Sequence, residues 1–160
     1  MRKRIICTIV IVLCALLFIG VLRTALVYFE NLFPNKDYFG DEYKQIIYPT
    51  SLSDFLIAKK TLKEANKALS TITNVENAEN QFGELGYLCI TDDEAVTEKH
   101  KLRFIAANFS SNKGYIWVKY SSGAYDKDGD ITCGSWDILS RWELEKKDDQ
   151  WIVTSKKEHP

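Results

Sequence analysis

Two side chains of this chain, His100 and Asp137, are of the types that carry out general acid–base catalysis. His100 lies in the charged run at residues 98–101, which is typical of a solvent-exposed segment, and the other histidine is His159. No G-x-S-x-G motif or other nucleophile signature accompanies them. The sequence therefore favours a surface histidine and a strand aspartate over a catalytic pair, and we predict no catalytic residue.

An acidic loop at residues 126–130 carries aspartates at its first, third and fifth positions, and Asp137 falls at the twelfth place. This spacing resembles the start of a calmodulin-type calcium loop, in which alternate oxygens surround the cation. Such a loop needs glycine at the sixth place for its sharp bend, and Ile131 occupies that place here. The sequence therefore favours a polar hairpin loop, and we predict no metal site.

Two of the four cysteines, Cys89 and Cys133, lie outside the apolar N-terminal run. They lack C-x-x-C spacing, so the sequence does not favour zinc. The apolar N-terminal run is predicted to be a transmembrane helix, which would place both cysteines on the outer side of the membrane. Disulfides can persist there. Two alternatives stay open, namely a bridge between Cys89 and Cys133 or two separate thiols.

Aromatic residues on the predicted strands could line a ligand pocket together with one carboxylate. We assign this pocket to Trp117, Tyr120, Trp136, Asp137 and Trp142. The alternative is that the aromatic side chains form the hydrophobic core, which is their commoner role in a small domain.

The charges of the chain are divided unevenly along its 160 residues. Four basic residues and one acidic residue give residues 1–30 a net charge of +3, so the remainder carries −4 of the overall −1. Nucleic-acid binding requires a basic surface. The mildly acidic remainder therefore argues against nucleic acid as a partner.

The N-terminal run at residues 5–22 contains no charged side chain. As a helix it would be about 27 Å long at 1.5 Å per residue, close to the roughly 30 Å of a bilayer's hydrocarbon core. Three basic residues at positions 2–4 precede the run, so the positive-inside rule predicts a cytoplasmic N-terminus. We predict a basic tail at residues 1–4 and a transmembrane helix at residues 5–29. The alternative is a cleaved signal peptide, although the run ends without an A-x-A pattern.

After a connector at residues 30–50, the pattern predicts one main helix and then strands. Ser51, with Asp54 three positions later, is typical of a helix start, and apolar residues recur on one face of residues 53–70. A shorter helix is predicted at residues 75–81. Period-two alternation then predicts an antiparallel meander of strands at residues 85–91, 102–109, 115–121, 131–145 and 151–155.

The last two predicted strands carry a resemblance to a known family. The stretch from Ser135 to Thr154 combines a long strand with Trp142 and several charges, a polar turn at residues 147–149, and Trp151-Ile152-Val153. It resembles the closing hairpin of nuclear transport factor 2-like domains. The resemblance extends over residues 51–158 as an order of elements, and it implies a cone-shaped α+β domain.

Relatives of that shape have more than one function. Membrane-anchored relatives occur in secretion and conjugation machinery and as small exported bacterial proteins. Some soluble relatives are enzymes that use an aspartate and a histidine inside the cone. The resemblance therefore implies either a tethered interaction domain or a cone that holds a ligand.

We predict an α+β fold with an N-terminal transmembrane helix followed by one main helix packed on a curved antiparallel sheet of four to five strands. The globular domain at residues 51–158 is predicted to be extracytoplasmic and tethered to the cell membrane. The favoured function is a non-enzymatic protein-interaction module, with the bilayer (through residues 5–29) and another protein as partners, and without a cofactor. The alternative is a small-molecule-binding or enzymatic cone with an aromatic pocket.

Overall fold

The computed structural model describes residues 2–30 and 35–159. Side chains are described for residues 11–25 and 37–159. The chain divides into two compact units, Met1–Ile47 and Tyr48–Pro160.

The first unit consists of helix α1 (Arg2–Glu30), helix α2 (Asn35–Phe39) and a 3-10 helix at Gly40–Ile47. Large apolar side chains of α1 are exposed, among them Leu17 at 70% and Phe18 at 68%. Within the described part of the chain, no helix is long and apolar enough to span a membrane.

The second unit begins with helix α3 (Leu52–Leu69), close to the bounds that the sequence predicts. Ser51 is its N-cap, and the Ser51 hydroxyl accepts a hydrogen bond from the Asp54 backbone N–H at 3.1 Å. This bond satisfies one of the backbone donors that a helix start leaves without a partner. Helix α4 (Val75–Phe82) confirms the predicted shorter helix, and Asn74 caps it in the same way through the Asn77 N–H.

The predicted strand at residues 85–91 is wrong, because this segment forms a 3-10 helix at Gly83–Leu88. Leu85 and Leu88 are both buried, and a spacing of three residues places side chains on one side of a 3-10 helix. Gly86 packs so closely on Ala78 that a Cβ atom would collide with the Ala78 carbonyl. This contact holds the segment against α4.

Four strands form one antiparallel sheet in the order β1-β2-β3-β4. The meander topology of the prediction is therefore confirmed, with the lower of the two predicted strand numbers. The strands are β1 (Thr97–Ser110), β2 (Lys113–Tyr125), β3 (Ile131–Lys147) and β4 (Gln150–Glu158). Each is longer than the sequence predicts, apart from the shared start of β3 at Ile131.

The hydrophobic core lies between one face of the sheet and the helices of this unit. Ala58, Ala65 and Leu69 of α3 are completely buried, and the small alanines let the helix approach the sheet closely. On the sheet side the same cluster includes Ile116 of β2 and Trp142 of β3, both completely buried. These contacts cover the end of the sheet near the β3–β4 turn.

Trp136 lies at the other end of β3 and is exposed at 54%. The alternation in the sequence places Trp136 and Trp142 on one face, but a register shift between Tyr120 and Ser122 of β2 separates them. Two residues of β3, Trp136 and Asp137, face one residue of β2 at this bulge. The two tryptophans therefore have different environments.

We expect these two tryptophans to contribute unequally to stability. Trp142→Ala should lower the free energy of unfolding by about 3–5 kcal/mol, because it opens a cavity in the core. Trp136→Ala, as the matched exposed control, should lower it by less than about 1 kcal/mol. Urea unfolding of the full chain in detergent, followed by far-UV circular dichroism, measures both, and equal losses would contradict this packing.

Candidate functional site

An open cleft lies in the second unit where the Gly83–Leu88 helix faces the ends of β3 and β4. Two adjoining cavities of about 860 Å³ and 690 Å³ form it. They share the lining residues Tyr87, Cys89, Thr91 and Glu158. Each volume falls within the roughly 300–1,000 Å³ of small-molecule sites. We call this region the Glu158 cleft.

Both carboxylate oxygens of Glu158 are engaged by neighbouring side chains. The Tyr120 hydroxyl donates to Oε2 at 3.0 Å, and the buried Ser140 hydroxyl donates to Oε1 at 2.8 Å. Burial, followed by the charge of Glu158, raises the pKa of Tyr120. Tyr120 is therefore a donor at neutral pH, and the two bonds hold the carboxylate in one orientation.

Lys156 lies on the wall of the larger cavity, two residues before Glu158. Its ammonium nitrogen lies 4.0 Å from the centre of the Tyr87 ring, which is a cation–π contact. The nitrogen is buried, and no hydrogen-bond partner for it occurs among the described residues. Burial lowers the pKa of Lys156, whereas the charges of Glu158 and Glu84 oppose that shift.

A pair of glycines supports Trp136, which lines the smaller cavity. Gly123 and Gly134 are direct partners across β2 and β3. A Cβ atom on Gly134 would collide with the Trp136 ring and would lie 2.8 Å from the Ser122 carbonyl oxygen. The indole therefore occupies space that only glycine leaves open at position 134, while much of its surface stays accessible.

The five residues that the sequence assigns to a pocket do not lie together in one pocket. Tyr120 and Trp136 line the Glu158 cleft. Trp142 belongs to the core, and Trp117 is completely buried opposite Arg141 of β3.

Asp137 is exposed on the β3 bulge, where it has a positive φ of 53°. Its backbone N–H donates to the Ser121 hydroxyl at 2.9 Å. His100 is also exposed, and its ring lies 3.2 Å from the Ser70 hydroxyl at the end of α3. His100 therefore contacts the end of α3, whereas Asp137 contacts β2, and no described contact joins the two residues.

The acidic loop between β2 and β3 uses its first carboxylate for its own turn. Asp126 Oδ1 accepts the backbone N–H groups of Asp128 and Asp130, each at 2.9 Å. The described residues include no group of three or more histidines, cysteines or carboxylates that could hold a metal ion.

Cys89 and Cys133 both line the smaller cavity, and both are free thiols in this structure. Cys89 is buried, and burial raises its pKa. Cys133 is exposed, and its pKa is raised by partial burial and by the neighbouring Asp92 carboxylate.

Lys156 and Glu158 are not among the predicted site residues because the last predicted strand ends at residue 155, whereas β4 continues to Glu158. A register shift between Glu143 and Leu144 of β3 leaves Thr154 as an extra residue in β4. Val153 faces the core before this bulge, and Lys156 lies opposite the core residue Trp142 after it. No feature of the sequence marks such a bulge.

The chemistry of the Glu158 cleft suits binding. It offers an oriented carboxylate, an ammonium group without an acceptor and two accessible aromatic rings, Tyr87 and Trp136. Its thiol Cys89 has a raised pKa, which disfavours the thiolate that a nucleophile requires.

We expect Ser140→Ala to lower the free energy of unfolding by about 1–3 kcal/mol, because hydrogen bonds to charged groups are strong and Glu158 would lose one of two. The exposed β4 residue Ser155 provides the control, and Ser155→Ala should change stability by less than about 0.5 kcal/mol. Thermal or urea unfolding of the full chain in detergent measures both. Equal stability of the two variants would show that the Ser140–Glu158 hydrogen bond makes no net contribution to the free energy of unfolding.

Comparisons with known proteins identify no relative of this chain. No protein-family model, curated protein or solved structure matches it. The resemblance of residues 135–154 to nuclear transport factor 2-like domains therefore stays a prediction.

Proposed function

We propose that this protein is a membrane-anchored, non-enzymatic binding module that holds a ligand in the Glu158 cleft. The observation that carries the proposal is the unpaired ammonium of Lys156 beside the oriented carboxylate of Glu158, in a cleft open to solvent. Buried charges without partners are costly, so they are retained mainly where a site needs them. An open cleft with such groups supports the ligand-binding alternative that the sequence left open. A completely filled cone would not support it.

A binding role without catalysis is supported by the groups that line the cleft. Both oxygens of Glu158 accept hydrogen bonds from protein hydroxyls, so the carboxylate is poorly placed to take a proton from a substrate. His100 and Asp137 are exposed on separate elements. We therefore propose recognition of a ligand and no reaction.

The membrane anchor is proposed from the N-terminal sequence and its conformation. Residues 5–22 lack charged side chains, and they fall within the continuous helix α1. Exposed apolar side chains such as Leu17 and Phe18 would gain from burial in lipid. The basic residues at positions 2–4 favour a cytoplasmic N-terminus and an extracytoplasmic α+β domain.

Membership of the nuclear transport factor 2-like group is part of the same proposal. It is supported by the order of elements, with α3 and α4 before a four-stranded antiparallel meander. The closing hairpin of β3 and β4, with Trp151 beside its turn and Trp142 opposite Lys156, also agrees with the resemblance.

A protein-interaction module is the second candidate, and one observation favours it. In the described chain, β4 pairs with β3 only from Ser140 onward, so residues 131–138 of β3 lack a strand on that side. Such an edge can pair with an extended segment of another protein.

We expect Cys133 to report the orientation of the protein. A membrane-impermeant maleimide added to intact cells after mild reduction should label the full chain, because Cys133 is exposed and the domain is proposed to lie outside. The control variant Cys133→Ser should abolish the labelling. Labelling that remains in this variant would come from another thiol, such as Cys14 in α1. Labelling that requires permeabilised cells would place the domain in the cytoplasm.

We expect a ligand of the Glu158 cleft to raise the melting temperature of the full chain in detergent. A ligand at about 100 times its Kd adds about 2.7 kcal/mol of stability. At least one compound in a panel of small acids, sugars and short peptides should raise the melting temperature in this way. Combining Tyr87→Ala with Trp136→Ala should abolish that rise. The exposed α3 variant Leu56→Ala is the control. A panel without any shift would contradict ligand binding and favour the β3 edge.

A further inference from the structure

We propose that Lys156 is the group of this protein that recognises a carboxylate on the bound ligand. The inference rests on the proposed function and assigns the ligand's chemical class. It follows from the position of the Lys156 ammonium, from the groups that surround it and from the aromatic wall of the same cleft.

The Lys156 ammonium lacks an acceptor although acidic residues are near. An ammonium carries three N–H donors, and the described residues supply none of them with a hydrogen bond. The oxygens of Glu158 are turned to Tyr120 and Ser140 instead. The Tyr87 ring covers one side of the ammonium at 4.0 Å and accepts no conventional hydrogen bond. The nitrogen is buried in this structure, so an oxygen in the cleft reaches the unused donors when the exposed Tyr87 ring moves away from it.

The charge around Lys156 selects among anionic ligands. Glu158 and Glu84 line the same cavity, and both act on Lys156 electrostatically. A phosphate dianion would meet two negative charges and only one positive charge, which costs more than a single charge would. A carboxylate carries one charge, so it is the anion that this arrangement tolerates best.

The shape of the cleft indicates what else the ligand carries. Glu158 lines both cavities, so the region around Lys156 continues into the region around Trp136. Trp136 offers an accessible indole held over Gly134. Exposed rings of this kind stack on apolar faces of a ligand. The ligand is therefore an acid with a ring or apolar portion some distance from its carboxylate.

Two sources supply this chemistry, a peptide with a free C-terminus and a sugar acid. The experiment uses a matched pair for each source: N-acetyl-Ala-Ala-Phe as acid and as amide, and phenyl glucuronide with phenyl glucoside. Titration calorimetry with the full chain in detergent measures each affinity. The acid of at least one pair should bind at least ten times more tightly than its neutral counterpart, and inorganic phosphate should bind more weakly than that acid.

Variants of Lys156 test the assignment. Lys156→Met should remove the preference for the acid and should melt at no lower a temperature than the wild type, because it removes a buried unpaired charge. Lys156→Arg should keep the preference. Lys101→Met, at an exposed position of β1, is the matched control and should also keep it.

The outcomes separate this inference from the proposed function. If Lys156→Met still prefers the acid, or if acids and neutral counterparts bind the wild type equally, carboxylate recognition by Lys156 is overturned while the cleft remains a binding site. If neither member of any pair binds, the carboxylate inference is overturned as well. The proposed function is then tested by the wider ligand panel described above. It is overturned if no compound of that panel raises the melting temperature.

Discussion

One extra residue in the pairing of β3 with β4 determines the character of the site. Thr154 has no partner in β3, and the side chains that follow it change faces of the sheet. Lys156 then lies opposite Trp142, and Glu158 lies opposite Ser140. Without this bulge, Ser155 and Lys157 would face the helices. The sheet would then present neither the ammonium nor the carboxylate to the cleft.

The helical layer explains why this region is open. Helix α3 and the Gly83–Leu88 helix cover the part of the sheet that contains Ile116 and Trp142, where the core is completely buried. The opposite end, with the exposed Trp136 of β3, lines a cavity instead, and the buried Tyr120 of β2 both joins the core cluster and lines this cavity. The domain therefore combines a packed end, which supplies stability, with an open end that supplies polar and aromatic surface.

The charged groups of the open end are a stability cost that the packed end must offset. A buried ammonium without an acceptor is unfavourable, and the cation–π contact with Tyr87 recovers only part of that cost. Glu158 is different, since Tyr120 and Ser140 replace its lost hydration. Proteins commonly retain such local costs where a site must meet a ligand.

The sequence by itself determined the α+β class, the capped helix α3 and the antiparallel meander, because capping and hydrophobic periodicity act over a few neighbouring residues. It mistook the Gly83–Leu88 helix for a strand, since residues 85–91 also fit a period-two pattern. Only the tertiary structure decided which aromatic rings are core and which line a cleft, and it alone brought Lys156, Glu158 and Tyr87 together. The reason is physical: bulges and packing between distant segments depend on the whole sheet, and no local pattern in the chain encodes them.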